Sequence, residues 1–180
     1  SVWVYSPTKD SRESFAGEMD RELDAAVAAV ASSTAAIEGA DVVVTATTAD
    51  DPVFDGDRLE PGTHVTAMGQ YHPEKREVDA TTVERATYVP DLRARIHQDA
   101  GAFMLAREEG VIDDERVHAE LGEVVAGTVE GRTSEDEITL FDSGGTAIET
   151  VAAAHMLYER ASERDLGRTI SFAPASEAME

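Results

Sequence analysis

The stretch Gly69-Gln70-Tyr71-His72-Pro73-Glu74-Lys75 sets an amide, a phenol, an imidazole, a carboxylate and an ammonium side by side. It follows an apolar run through Val65, Ala67 and Met68. Polar groups of such variety at the end of an apolar run suit the holding of a ligand. An imidazole ordinarily titrates near neutrality, which makes His72 the candidate acid–base group; a plain solvent-exposed loop histidine is the alternative. A phenol is ordinarily neutral up to about pH 10, so Tyr71 can donate a proton but not accept one as a carboxylate does. Lys75 is one of only two lysines, with Lys9, against 13 arginines. A chain that has otherwise replaced Lys keeps it where a compact, mobile ammonium is needed and a guanidinium fork does not serve. Three further stretches carry ligand-binding chemistry. Ser6-Pro7-Thr8-Lys9 and Thr45-Ala46-Thr47-Thr48 offer hydroxyls. Ser143, followed by Gly144 and Gly145, precedes a long helical segment and is read as its N-cap, with free backbone N–H groups on the ligand side.

These residues need elements to position them. Residues 2–5 are β-branched and aromatic and read as a strand, and 11–23 as a helix. Residues 25–31 fit helix or strand, and 33–38 form a short helix closed by Gly39. The run 41–47, Asp-Val-Val-Val-Thr-Ala-Thr, reads as a strand buried on both faces of a parallel sheet. Strands follow at 64–69 and 87–89, with a helix between them at 80–85. Residues 91–108 and 116–125 look helical, 138–141 extended, and 145–162 a long helix with Ile148, Val151, Ala152 and His155 on one face. His155 is expected to be packed there and hydrogen-bonded. The tail after Arg168 reads as a small strand and a frayed end. Strands alternating with helices imply a parallel sheet with right-handed crossovers. In such sheets ligands bind beyond the carboxyl ends of the strands, where the polar stretches fall. A dinucleotide-binding sheet opens on a strand and a Gly-rich turn; this chain reads as such a sheet starting at its second strand.

Composition narrows the classes. The chain has 180 residues, 37 acidic against 15 basic, and a formal charge of −22. Its 42% hydrophobic content, clustered in runs, argues for a folded domain. An acidic surface nearly without Lys fits a salty cytoplasm, where high ionic strength screens self-repulsion. No basic patch exists to meet nucleic-acid phosphates. The absence of Cys excludes thiolate chemistry. No segment reads as a membrane span and no signal-peptide pattern opens the chain, so the expectation is a cytoplasmic protein. His64, His97, His118 and His155 show no metal-ligand spacing, so no metal is expected. The acidic runs 113–115 and 135–137 read as solvated surface.

The stretches 39–69, 75–79 ("KREVD"), 119–127 ("AELGEVVAG") and 137–161 ("EITLFDSGGTAIETVAAAHMLYERA") together resemble the ornithine cyclodeaminase/mu-crystallin family. The last is the most specific. The resemblance implies a Rossmann domain that binds NAD(H) or NADP(H), joined in relatives to a domain for substrate and dimerisation. Residues 1–143 are then a partial NAD(P)-binding domain, and 144–180 a helix and tail directed toward the other domain. The loops at the strand ends offer Ser6, Thr8, Lys9, Thr45, Ala46, Thr47, Gly69 and Gly144 as cofactor contacts, and the resemblance implies Lys75 and Ser143 at the nicotinamide end. In cyclodeaminase members an Asp stands where this chain has Tyr71; Tyr71 and His72 are therefore the candidate catalytic residues. The implied activity is conversion of ornithine to proline and ammonia by hydride transfer through an imine. Amino-acid dehydrogenase or ketimine reductase activity, and non-catalytic binding of NADPH and a ligand, are the alternatives. The implied partners are a small amino acid or cyclic imine, with a homodimer for the full-length protein. At the end of the first strand stands Ser6, where an NAD-selecting carboxylate is ordinarily found, which favours NADP(H).

Overall fold

A computed structural model of the chain describes residues 1–168 and residue 170. The chain divides after Gly144 into two compact units. The first is a mixed α/β unit holding all the strands among the described residues. In chain order it runs β1 (Val2–Val4), α1 (Lys9–Glu22), β2 (Val27–Ala29), α2 (Ser33–Ile37) and β3 (Val42–Thr45). It continues with β4 (His64–Ala67), α3 (Ala80–Arg85), β5 (Thr87–Pro90), α4 (Gly101–Glu108), α5 (Leu121–Val125) and β6 (Thr139–Asp142). The second unit contains α6 (Ala147–Glu163).

Among the described residues every strand pairing is parallel. β1 pairs with β2, and a separate four-stranded sheet runs β3-β4-β6-β5. The last strand in sequence thus lies between β4 and β5, after a long return through α4 and α5. The register aligns Thr45, Ala67, Asp142 and Pro90 in one row at the carboxyl edge. Alternation along β3 to β6 sends Val43, Val65, Tyr88 and Leu140 to one face. There they join Val78, Val83, Phe103 and Ala106 in the core. Phe103 and Tyr88 rings lie 5.4 Å apart and tilted, a favourable aromatic geometry. Gly39, at φ 70, closes α2 as the sequence pattern predicts; a left-handed residue past the cap is where Gly costs least. The ambiguous 25–31 segment settles as β2, with the Val27 amide donating to Asp20 Oδ1 of α1 at 2.9 Å.

Several expectations are corrected. β3 is buried on one face only: Val42 and Val44 are each 59% exposed while Val43 and Thr45 are buried. It is the edge strand of its sheet. The segment 91–108 is not one helix. A 3-10 turn at Arg93–Arg95 precedes α4, and Ala100 adopts a non-helical φ −81, ψ 78. α4 starts where a Cβ on Gly101 would overlap the carbonyls of His72 and Lys75, so its first turn packs directly under the 69–75 loop. The segment 116–125 is split too. Val117 forms a parallel bridge to Tyr88, and the His118 amide donates to the Tyr88 carbonyl at 3.0 Å, so sheet pairing displaces the helix until α5. Within the second unit, the N-cap of α6 is Thr146 rather than Ser143, and its amide donates to Glu149 Oε2 at 2.9 Å. Glu three residues past the cap supplies the competing signal. His155 is exposed, not packed, with Nε2 3.5 Å from Glu159 Oε1. Of the tail after Arg168, only residue 170 lies within the described residues, and it belongs to no element.

Candidate functional site

The loops that follow β1 and β3 line a cleft of about 540 Å³. Tyr5, Ser6 and Pro7 line one side; Thr45, Ala46, Thr47 and Thr48 line the other, with Ser33, Ala36 and Ile37 of α2 and Phe54 completing it. Four predicted residues (Ser6, Thr45, Ala46 and Thr47) are thus brought together. Thr8 and Lys9 stand beside the cleft, at the start of α1. The Ser6 hydroxyl donates to the Thr8 carbonyl at 3.2 Å. Lys9 is turned along its helix, 3.7 Å from Glu13 Oε1.

A residue not singled out in the sequence organises the far wall. Glu77, 2% exposed, accepts three hydrogen bonds. They come from Thr45 Oγ1 at 3.0 Å, the Thr47 amide at 2.5 Å and the Gly69 amide at 2.7 Å. One buried carboxylate therefore ties the loop after β3 to the loop after β4. Buried charge is tolerated only with such compensation. The Thr45 hydroxyl is committed to this clamp. Gly69 serves it too: a Cβ there would overlap the Thr47 backbone and Glu77 Oε1. The close approach of two loops demands this glycine.

The second grouping lies under the 69–75 loop, at the ends of β4, β5 and β6. Gln70, Tyr71, Asp91, Arg95, Asp142 and Gly144 surround a void of about 10 Å³, the room of about one water. Asp142 is buried, and its Oδ2 accepts from the Tyr88 hydroxyl at 2.5 Å. Burial, reinforced by the charges of Asp91 and Glu77, pushes the Asp142 carboxyl up to about 6 despite that bond. Burial and the Asp142 charge hold the Tyr88 phenol well above its ordinary value, so Tyr88 is the donor. Arg95 pairs with Asp99 and donates from Nη1 to the Gly144 carbonyl at 3.1 Å. The Ser143 amide donates to the Ala67 carbonyl at 2.8 Å. Ser143 and Gly144 are held on the sheet's carboxyl edge, with Tyr71, 57% exposed, across the void from Gly144.

Lys75 and His72 stay on the exposed side of the loop. Lys75 Nζ lies 2.6 Å from Asp50 Oδ1 of the loop after β3. His72 Nδ1 accepts from the Glu74 amide at 3.2 Å, so the neutral ring carries its proton on Nε2. Among the described residues no group of three or more His, Asp or Glu could hold a metal ion. No helix among them is long and apolar enough to cross a membrane.

Residues 1–165 match the sequence profile of the ornithine cyclodeaminase/mu-crystallin family. The chain belongs to this family. It is 43% identical over 133 residues to an alanine dehydrogenase of Archaeoglobus fulgidus, which covers 73% of the chain and 41% of that protein. Its fold superposes on Thermococcus litoralis Δ1-pyrroline-2-carboxylate reductase, solved with NADH and L-proline. The TM-score is 0.87 at 37% identity, over 93% of this chain and 52% of that one. An archaeal alanine dehydrogenase dimer with bound NAD gives a TM-score of 0.82 at 34% identity, over 96% of this chain and 52% of that one. The chain thus spans about half the length of the relatives it matches.

Proposed function

We propose that this chain is the NAD(P)-binding part of an oxidoreductase that interconverts a small amino acid and its imine. The observation that carries the reading is the cleft between the ends of β1 and β3, with its far wall clamped by Glu77 to the loop that bears Tyr71, His72 and Lys75. The residues fit a dinucleotide. The cleft opens beyond the carboxyl ends of parallel strands, where such cofactors bind, and offers hydroxyls and backbone on both sides. Ser6 with Thr45 to Thr47 would hold the adenosine half; Lys75, Ser143 and Gly144 would hold the nicotinamide half. The cofactor supplies the hydride acceptor or donor. His72 offers an N–H donor at Nε2, and the Tyr71 phenol offers an O–H donor to the substrate. Tyr71 stands where cyclodeaminase members carry the carboxylate that deaminative cyclisation of ornithine would use as proton acceptor. That favours imine reduction, or its reverse, over ornithine cyclodeamination. Similarity to a pyrroline-2-carboxylate reductase and to alanine dehydrogenases supports the same reaction class, and the dimeric neighbour supports a homodimer for the full-length protein.

The test is a screen of the full-length protein in molar KCl, where the charge of −22 is screened. Substrates are pyrroline-2-carboxylate, alanine, pyruvate with ammonia, and ornithine, each with NADH and NADPH. Cofactor-dependent reduction of an imine, or oxidation of alanine, is the expected result. Proline and ammonia from ornithine alone would replace this reading with cyclodeamination. Saturable cofactor binding without turnover of any of these would leave a binding protein.

A further inference from the structure

We propose that Arg12 reads the 2′-phosphate of NADP(H) and sets the cofactor preference of the cleft; the proposal rests on that cleft binding a dinucleotide. In sheets of this kind the end of the strand corresponding to β1 meets the adenosine ribose. A carboxylate there selects NAD, and a nearby Arg accommodates the 2′-phosphate. Here Ser6 occupies that place, and the first acid after it, Asp10, already belongs to α1. Lys9 would be the obvious cation, but it runs along α1 to Glu13.

Arg12 does the opposite. From one turn inside α1 it folds back over the β1–α1 loop. Its Nη1 donates to the Ser6 carbonyl at 2.8 Å and to the Pro7 carbonyl at 3.4 Å. Its Cζ sits 5.7 Å from the centre of the Tyr5 ring, a cation–π distance. Tyr5, Ser6 and Pro7 are all wall residues of the cleft. The guanidinium is therefore fixed at the cleft's rim by one nitrogen and by stacking. Nε and Nη2 donate to no protein acceptor, and no carboxylate pairs with Arg12 among the described residues. In a chain with 37 acids, an arginine so held keeps its charge for an external anion. A planar fork with donors to spare matches phosphate better than the point charge of Lys9 does.

The experiment measures dissociation constants of the full-length protein for NADPH, NADH and 2′,5′-ADP by fluorescence and calorimetry, for wild type, Arg12→Ala and Arg12→Gln. Gln keeps a donor for the Ser6 carbonyl and removes the charge, which separates phosphate reading from loop support. Wild type should prefer NADPH. Both variants should lose about 10- to 100-fold in affinity for NADPH and 2′,5′-ADP, with Arg12→Gln holding NADH within about 2-fold. The steeper salt dependence of NADPH binding relative to NADH should disappear in both. A wild-type preference for NADH, or an NADPH-to-NADH ratio unchanged by Arg12→Gln, overturns the proposal while leaving the cleft reading intact. Failure of the wild type to bind either nucleotide overturns the cleft reading and the proposal together.

Discussion

Replacing Glu77 by Gln tests the clamp directly. The carboxylate accepts the Thr47 and Gly69 amides through different oxygens, with the Thr45 hydroxyl sharing the second. A glutamine retains one acceptor oxygen and presents an NH₂ where the other stood, so one backbone amide must face a donor. A hydrogen bond to a charged group contributes about 1.5–3 kcal/mol, and an orphaned buried donor costs a similar amount. The expected loss is about 2–3 kcal/mol for Glu77→Gln. For Glu77→Ala, which strands all three donors and opens a cavity, it is about 4 kcal/mol. Urea denaturation of the full-length protein measures these losses. Nucleotide titration should show weakened NADH binding in Glu77→Gln, because the Thr47 backbone forms the cleft wall. Amide exchange adds a local readout: Thr47 and Gly69 should be protected in wild type and fast in the variant. If Glu77→Gln stays within about 0.5 kcal/mol of wild type and both amides remain protected, the clamp does not hold the loops and the reasoning fails.

Gly69→Ala should cost about 2–4 kcal/mol by denaturant midpoint, because its Cβ would meet the Thr47 backbone and Glu77 Oε1, neither of which can yield without breaking the clamp. Asp142→Asn should change the pH dependence of stability. Burial raises this carboxyl from 3.8 to about 6, so the folded chain holds a proton that the unfolded chain has lost, and stability falls as pH rises through that window. The variant should gain up to about 3 kcal/mol at about pH 8 and nothing at about pH 4, as read from urea midpoints against pH. Lys75→Met removes a partly exposed ion pair with Asp50 and should change stability by less than about 1 kcal/mol. If Lys75 meets the cofactor, the same variant should weaken nucleotide binding about 10-fold; unchanged affinity would remove Lys75 from the site.

The fold was legible where periodicity and end signals agreed. The six-residue α3 between β4 and β5, the short α2 with its Gly39 stop, and β3 and β4 all stand where their patterns place them. It was illegible where a tertiary contact decides the local outcome. Gly101 looks like a tolerated helical glycine until the His72 and Lys75 carbonyls are seen against it. Val117 looks helical until it bridges Tyr88. Of the site, the loops could be read because they end apolar runs. What holds them could not. Glu77 lies in a charged stretch, Lys-Arg-Glu-Val-Asp, and nothing local separates a buried acid from solvated neighbours. Asp142 did leave a signal: alternation from Ile138 through Leu140 puts it on the buried face of β6, and an acid at a buried position needs a partner. Arg12 left none, since its return to Ser6 depends on the path of the β1–α1 loop.

Two of the buried acids, Glu77 and Asp142, sit at one edge of the sheet, and this bears on how an acidic chain keeps its loops in place. Thr45, Ala67 and Asp142 are register partners, and Glu77 reaches the first of them and the loop after the second. These hydrogen bonds are internal, so added salt does not screen them. The lysine pairs are different. Lys75 with Asp50 and Lys9 with Glu13 are at or near the surface, where such pairs contribute little and salt weakens them further. High ionic strength therefore acts selectively. It leaves the Glu77 clamp and the Asp142–Tyr88 bond intact while loosening Lys75 from Asp50. If Lys75 meets the cofactor, as proposed, that contact is a charge pair too, and salt weakens it along with the Asp50 pair while the clamp keeps the loop still.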